Sequence, residues 1–301
     1  MSVQVQILFY DSPERLDLEP GALYLMFGFG TGDTFNAMIH LRKAPPLRDY
    51  ELIIKRPQLN LVMFLLGLFE RLPRRVHAVD YWQHDFSPQV AGRFPAFPYA
   101  RGMEGHSARE GFIDVWLHPF NYDKLIPLEP ADIDAMLGYF RQQPPARPLP
   151  QNSVVLFPTA GTNFSDYVPP WESLVASLRQ KGFEHIYVNQ SGVAEYGAEA
   201  IGGAEPLNLA HDELIRTFHA EGAKLRLIAV RSGVLDILRF CGQRALVLYQ
   251  PVPRGIFETC RFGLLKHRFD LVEAICLNTS APHQDQVLEY YLQHFIASPL
   301  E

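Results

Sequence analysis

Two short polar segments, each lying between an apolar run and a helix-forming run, are the residues of this chain best suited to chemistry. One of them, Arg231-Ser232-Gly233, follows an apolar run that ends at Val230 and opens into a helix-forming segment. In open α/β sheets, ligands bind at the carboxyl ends of the strands, and a helix amino terminus offers free N–H groups to an anion. An arginine there presents a planar fork of donors to phosphate oxygens. This corner is a candidate phosphate site, although an ordinary turn with a solvated arginine has the same residue types.

A second corner of the same kind occurs earlier in the chain. The apolar run 154–157 is followed by Pro158 and then by small and polar residues, of which Thr159, Gly161 and Thr162 can donate hydrogen bonds to phosphate. Two such corners in one half of the chain predict one nucleotide pocket.

Two further polar residues, Asn189 and Gln190, end another strand-like run in this half. They stand where a base or ribose contact is expected in a nucleotide-binding domain. Ordinary turn residues are of the same types, and the sequence leaves both alternatives open.

A glycine-rich turn marks the first half of the chain. A strand-like run at 22–27 leads into Gly28-Phe29-Gly30-Thr31-Gly32-Asp33, and a helical pattern follows. Gly28, Gly30 and Gly32 would let the backbone approach a ligand closely, although a tight turn alone explains the same pattern. Asp33 stands at the start of the helix, where a carboxylate is either a helix cap or a group that projects into a ligand cleft.

The elements that must position these residues alternate as in parallel sheets with crossover helices. In the first half we predict strands at 22–27, 50–55 and 75–80, helices at 34–41, 58–70 and 132–142, and long loops with an irregular strand or two over 82–128. In the second half we predict strands at 153–157, 184–189, 205–209, 225–230, 244–249 and 270–277, and helices at 170–180, 211–221, 233–240, 255–267 and 283–296.

A proline-rich segment, residues 144–150, separates the two halves. A stretch of this composition is typical of a semi-rigid linker. We therefore predict two doubly wound, Rossmann-like α/β domains facing a cleft, one over 1–143 and one over 151–301, and the second contains both phosphate corners and is expected to bind the nucleotide.

The composition limits the class of protein and its partners. Hydrophobic residues make up 48% of the 301 residues and charged residues 20%, as in an ordinary globular protein. The formal net charge is -6 without any basic run, which argues against nucleic acid as a partner. Cys241, Cys260 and Cys276 are odd in number and widely spaced, which predicts reduced, buried thiols rather than disulfides or zinc ligands.

The location of the protein is predicted from its apolar segments. The first residues lack the basic start and apolar core of a signal peptide. The longest apolar stretch, 59–69, contains Asn60 and is too short to span a bilayer. We expect a cytoplasmic protein with at most a peripheral contact at the inner membrane.

The pattern resembles the lipopolysaccharide heptosyltransferase family of GT-B glycosyltransferases. In that family a strand leads into a glycine-rich turn ending in Gly-Asp, as at Gly32-Asp33 here. Its second domain opens with an apolar strand, a proline, a small-residue turn and a helix that starts with tryptophan, as at 156–161 and Trp171 here. A later strand is followed by Asp-Ser/Thr-Gly-Leu, which corresponds to 231–234. The resemblance covers the organisation of most of the chain, but its motifs are short.

One departure from the family affects the expected donor. The family's aspartate in the last motif is Arg231 here, and its downstream histidine is Asp236. An arginine at this corner is similar to that of fucosyltransferase-like enzymes, in which a guanidinium meets the diphosphate of the nucleotide sugar. The identity of the nucleotide is therefore left open.

The resemblance implies an activity and roles for the residues. The activity is transfer of a sugar from a nucleoside-diphosphate donor to a cell-envelope or capsular glycan, free or lipid-linked. Asp33 would be the general base on the acceptor, and the donor would be held by a set of glycines and polar residues, namely Gly30, Gly32, Thr159, Gly161, Thr162, Asn189, Arg231, Ser232 and Gly233. The histidines have no metal-ligand spacing, so we expect neither a metal nor a cofactor other than the donor itself.

Two other functions fit the same pattern. A non-catalytic GT-B-like subunit would bind a nucleotide, a glycan or a protein during assembly, and the fewer clear strands of the first half keep this alternative open. A sugar-nucleotide epimerase has the same architecture, but no paired acidic residues are evident for two-sided proton transfer. The absence of a GxSxG elbow and of a Walker GxxxxGK[ST] motif excludes two common classes of enzyme.

Overall fold

The computed structural model of the chain divides into two compact units, Met1–Met136 and Leu137–Glu301. It describes residues 5–28, 30–43, 48–81, 86–95, 99–101, 110–114, 128–158, 170–189, 201–220, 225–230, 233, 234, 237, 244–249, 272–276 and 284–297. Within these residues, no helix has the length and apolar character needed to cross a membrane.

The first unit alternates strands with helices. Its strands are β1 (Gln6–Tyr10), β2 (Leu23–Phe27), β3 (Glu51–Lys55), β4 (Arg75–Val79), β5 (Tyr99–Arg101) and β6 (Gly111–Asp114). Its helices are α1 (Thr31–Lys43), α2 (Leu59–Leu66), α3 (Ser87–Arg93) and the first part of α4 (Pro130–Gln142), and short 3-10 turns lie at Pro13–Arg15 and Arg56–Gln58.

The six strands form one parallel sheet in the order β1-β4-β3-β2-β6-β5. Every residue of β2 and β3 is buried, as expected for central parallel strands that are covered on both faces. From β2 the chain proceeds through β3 to β4 on one side, whereas β5 and β6 lie on the other. The direction of winding therefore reverses between β2 and β6.

A buried polar pair lies within this sheet. The carboxylate of Glu51 accepts a hydrogen bond from the His77 ring, with Oε2 and Nε2 2.7 Å apart and both side chains at most 2% exposed. The other ring nitrogen of His77 lies 3.2 Å from the hydroxyl of Tyr10. Buried polar groups are tolerated when they are paired, and the other carboxylate oxygen of Glu51 lies 3.7 Å from Nη1 of Arg75.

The second unit contains a sheet of six parallel strands. They are β7 (Val154–Phe157), β8 (Ile186–Val188), β9 (Glu205–Pro206), β10 (Arg226–Val230), β11 (Arg244–Tyr249) and β12 (Val272–Cys276). The helices described in this unit are α5 (Trp171–Gln180), α6 (His211–Phe218), α7 (Gln284–Ala297) and the last part of α4.

The order β12-β11-β10-β7-β8-β9 is that of the doubly wound dinucleotide-binding fold. From β7 the chain adds β8 and β9 on one side of the sheet, and it then adds β10, β11 and β12 on the other side of β7. One face of α5 packs on the sheet because its apolar residues recur at helical spacing. The buried cluster includes Trp171, Leu174 and Leu178 of α5 with Val154 and Leu156 of β7.

The predicted α/β architecture with two parallel sheets is confirmed. The described part of the region 82–128 contains two strands, as expected, and also the unpredicted helix α3. The edge strand β1 was not predicted either. The expected helix at 255–267 lies outside the described residues, and of the expected helix 233–240 only Val234 and Ile237 are described as helical.

The proline-rich segment belongs to the second unit, and the division between the units lies earlier, within α4. The Arg147 backbone N–H donates to Thr217 Oγ1 at 3.4 Å, and its guanidinium lies over the Tyr187 ring, 5.4 Å from the centroid. These contacts explain why a segment with the composition of a linker packs with the unit that follows it.

Candidate functional site

Strands β7 and β10 are neighbours in the second sheet. Their register places Ala229 opposite Phe157, so the two strands end at the same edge. The winding of the sheet reverses between these two strands, and ligands of open α/β sheets bind outside the carboxyl ends at such a switch point. The two corners predicted from the sequence directly follow these strands. Their starting points are thus brought together at one edge, as a shared phosphate site requires.

The individual donors at these corners are only partly described. Thr159, Gly161, Thr162, Arg231 and Ser232 lie outside the described residues, and their roles stay predictions. Gly233 is described and exposed.

Asn189 follows β8, the strand next to β7. Its side chain is 3% exposed and is hydrogen-bonded to the backbone of Leu209: Oδ1 accepts from the N–H at 2.8 Å, and Nδ2 donates to the carbonyl at 3.3 Å. The amide thus extends the pairing of β8 beyond the end of the strand. This geometry favours the structural alternative for Asn189 over a contact with ribose or base. Gln190 lies outside the described residues.

We expect Asn189→Ala to destabilise the second unit. The change removes two buried hydrogen bonds, each with a net value near 1 kcal/mol, so the free energy of unfolding should fall by about 1 to 2 kcal/mol. Urea denaturation of the full chain measures this loss. If Asn189 contacts a ligand instead, stability will be unchanged and nucleotide affinity will fall.

His211 is a polar residue of this edge that sequence reasoning missed. It is the first residue of α6 and is partly buried, and this burial lowers the pKa of its ring to about 4. The ring is therefore neutral at physiological pH. Its position at the first residue of a strongly amphipathic helix gave the only signal in the sequence, and that signal is also typical of an ordinary helix start.

In the first unit, the glycine-rich turn follows β2, next to the point where the winding of that sheet reverses. The turn leads into α1, which begins at Thr31, three residues before the predicted start. The first helical hydrogen bond, from the Thr34 N–H to the Gly30 carbonyl, is 3.0 Å long. Gly30 is therefore the N-cap residue, and Asp33 is the third residue of the helix.

The carboxylate of Asp33 folds back toward the start of its own helix. Its Oδ2 lies 3.5 Å from the point that a Cβ on Gly30 would occupy. A carboxylate in the first turn is stabilised by the unpaired N–H groups and by the positive end of the helix dipole. This position suits a helix cap and places the same group at the ligand edge of the sheet, so its role as a base stays a prediction.

The backbone conformation at Gly30 and the burial of Gly32 distinguish the two glycines of this turn. Gly30 does not adopt a left-handed conformation, and a Cβ there would make only an ordinary contact with the described atoms. The local backbone therefore does not require a glycine at position 30, which agrees with close approach of a ligand. Gly32 is buried within the first turn of α1.

Two further acidic residues end or directly follow strands at this edge. Asp80 follows β4 and forms an ion pair with Arg56, with Oδ2 and Nη1 3.6 Å apart. Asp114 ends β6, and the register places it beside Met26 of β2. Asp114 was not among the predicted site residues, because no pattern in the sequence showed that β6 would lie next to β2.

Among the described residues, no group of three or more histidine, cysteine, aspartate or glutamate side chains lies close enough together to hold a metal ion. His77, one of the scattered histidines, is bound to Glu51 and Tyr10. Metal independence stays a prediction.

The fold is similar to that of proteins of known structure, although no sequence relative was found. No family model matches the chain, and no curated protein matches its sequence. The E. coli ADP-heptose lipopolysaccharide heptosyltransferase II matches with a TM-score of 0.53 and 12% identity, over 91% of this chain and 98% of that one.

Two other solved structures match at lower TM-scores. The E. coli heptosyltransferase WaaC with ADP-2-deoxy-2-fluoro heptose gives 0.48 at 13% identity, over 91% of this chain and 99% of that chain. The glycotransferase of kitacinnamycin gives 0.46 at 10% identity, over 94% and 92%. The likeness to heptosyltransferase II shows a GT-B type fold, so the resemblance noted in the sequence is confirmed at the level of the fold.

Proposed function

We propose that this chain is a glycosyltransferase that moves a sugar from a nucleoside-diphosphate donor to a cell-envelope or capsular glycan acceptor, free or lipid-linked. The observation that carries the proposal is the pairing of β7 with β10, which brings the starts of both predicted phosphate corners to one switch point. The fold shared with heptosyltransferase II supports it. The place of action would be the cytoplasm, with at most peripheral contact at the inner membrane.

The proposed chemistry assigns one task to each unit. In the first, Asp33 accepts the proton of the acceptor hydroxyl while that oxygen forms a bond to the anomeric carbon. In the second, the bond from this carbon to the diphosphate breaks, and the diphosphate leaves with the electron pair. Arg231 and the N–H groups of the two corners stabilise the charge that develops on it.

The nucleotide of the donor is left open by the proposal. Heptosyltransferase II is described as acting with ADP-heptose, but Arg231 stands where the heptosyltransferase motif has aspartate. A change from a carboxylate to a guanidinium reverses the charge next to the diphosphate, so the donor preference of this chain has to be measured.

A panel of nucleoside-diphosphate sugars that covers the adenine, guanine, uracil, cytosine and thymine bases tests the function. The full chain should be stabilised against heat by at least one donor, because a ligand at a hundred times its Kd stabilises a protein by about 2.7 kcal/mol. It should also hydrolyse that donor slowly without an acceptor. Stabilisation without hydrolysis or transfer would favour a non-catalytic binding subunit. No stabilisation and no turnover would contradict the proposal.

Metal independence is tested in the same assay. Since the proposed leaving-group stabilisation uses arginine and N–H groups, turnover should be unchanged after the protein is treated with EDTA. A loss of turnover that a divalent cation restores would contradict the metal-free mechanism while leaving the proposed reaction intact.

A further inference from the structure

The position of His211 is fixed by the segment that directly precedes α6. Beyond the end of β8, the Leu207 N–H donates to the Val188 carbonyl at 2.8 Å, and Leu209 is bound on both its N–H and its carbonyl by the Asn189 side chain. The segment 207–209 therefore stays attached to β8. His211 begins α6 two residues later, so it lies at the carboxyl edge of the sheet, on the β8 and β9 side of the switch point.

The ring of His211 differs from the other polar groups around it. The start of α6 is capped by Glu213, whose Oε2 accepts from the Ala210 N–H at 2.8 Å. Among the described residues, none forms a hydrogen bond or an ion pair with the His211 ring. The low pKa of about 4 that results from burial keeps the ring neutral. A neutral imidazole offers one donor and one acceptor.

The topology indicates which part of a nucleotide would reach this ring. In doubly wound domains the phosphates bind after the first strand, here β7, and the ribose is contacted from the end of the second, here β8. Strand β9 lies two interstrand spacings, about 10 Å, from β7. The Asn189 amide at the end of β8 is bound to Leu209, so His211 is a described side chain at this edge with a donor and an acceptor to offer.

We propose that His211 contacts the nucleoside half of the donor and contributes to its selection. This inference rests on the proposed nucleotide-sugar function. It assigns to the second unit two separable contacts, with Arg231 on the diphosphate and His211 on the nucleoside.

The test compares His211→Ala with His185→Ala in the full chain. His185 is a matched control, because it is also partly buried but precedes β8 at the opposite edge of the same sheet. The probes are the nucleoside diphosphate that stabilises the wild-type protein most in the panel, and its nucleoside. We expect His211→Ala to weaken both by roughly three- to tenfold, the value of one hydrogen bond, and His185→Ala to weaken neither.

The outcomes separate this inference from the proposed function. Unchanged affinity in His211→Ala, or a loss confined to the diphosphate, overturns the role of His211 and leaves the function standing. If the wild-type chain binds no nucleoside diphosphate, the proposed function and this inference both fail.

A second measurement does not depend on a variant that folds. In wild-type protein with 15N-labelled histidine rings, the nucleoside should shift the His211 ring resonances and leave those of His185 in place. The ring resonances are assigned in the wild-type protein itself, with uniform 13C and 15N labelling, by through-bond correlation to the backbone signals. Unshifted His211 resonances at saturating nucleoside would overturn the proposal.

Discussion

Asp33→Asn is expected to lower turnover by roughly 10²- to 10⁴-fold while donor affinity changes little, because the amide cannot accept the acceptor's proton in the transition state. The substitution preserves the shape of the side chain and most of its capping ability at the third position of α1. If Asp33 acts only as a cap, stability should fall by at most about 1 kcal/mol and the rate should be retained. Steady-state kinetics with the donor found in the panel and a glycan acceptor measures the effect.

Asp49→Asn is a suitable control for this variant. Asp49 is exposed, precedes β3 at the opposite edge of the same sheet and pairs with Arg71 at 3.2 Å. The variant Asp49→Asn removes the same negative charge from the same unit, and its turnover rate should equal that of the wild type.

A rate near that of the wild type for Asp33→Asn would eliminate Asp33 as the base. The next carboxylate to test would then be Asp114, since β6 lies beside β2. Asp80 would be tested after Asp114, because it follows β4, two strands away from β2, and is paired with Arg56. Asp85 and Glu104, two further carboxylates of this part of the sequence, lie outside the described residues.

Arg231→Ala is expected to weaken binding of the nucleoside diphosphate by about tenfold to a hundredfold, the value of one charge-assisted hydrogen bond of roughly 1.5–3 kcal/mol. Binding of the free nucleoside should be almost unchanged, because the guanidinium is proposed to meet phosphate and not the base. Isothermal titration with both ligands gives the two affinities.

Arg216→Ala is the control for the loss of a positive charge in the same unit. Arg216 lies on α6 and pairs with Asp212, one turn away at 3.3 Å, with both side chains partly buried. Its affinities should match those of the wild type. Equal weakening of nucleoside and diphosphate in Arg231→Ala would contradict the phosphate assignment.

The strands of the second sheet were predictable because central parallel strands are buried on both faces. Val154–Phe157 and Arg226–Val230 stand out as nearly continuous apolar runs, and the polar corners after them mark where they end. The sequence predicted one nucleotide pocket from the two corners, and in the structure the strands that precede these corners are paired neighbours.

Other features depend on long-range contacts that the sequence does not display. The strand β1 lies at the edge of its sheet, and none of its residues is fully buried although four of the five are apolar. Asn189 has the residue type of a ligand contact, but its amide is bound to Leu209, twenty residues later. Asp33 looked like the start of a helix, whereas the helix begins at Thr31 because the Gly30 carbonyl accepts its first hydrogen bond.

The central claim is that a nucleoside diphosphate binds at the switch point of the second unit. A photoreactive analogue of the best-binding nucleoside diphosphate, cross-linked to the full chain and mapped by mass spectrometry, tests it most directly. The account predicts labels in peptides that contain 158–163, 231–233 or His211, and their loss when unlabelled nucleotide competes. Competable labels confined to residues 1–136 would contradict it.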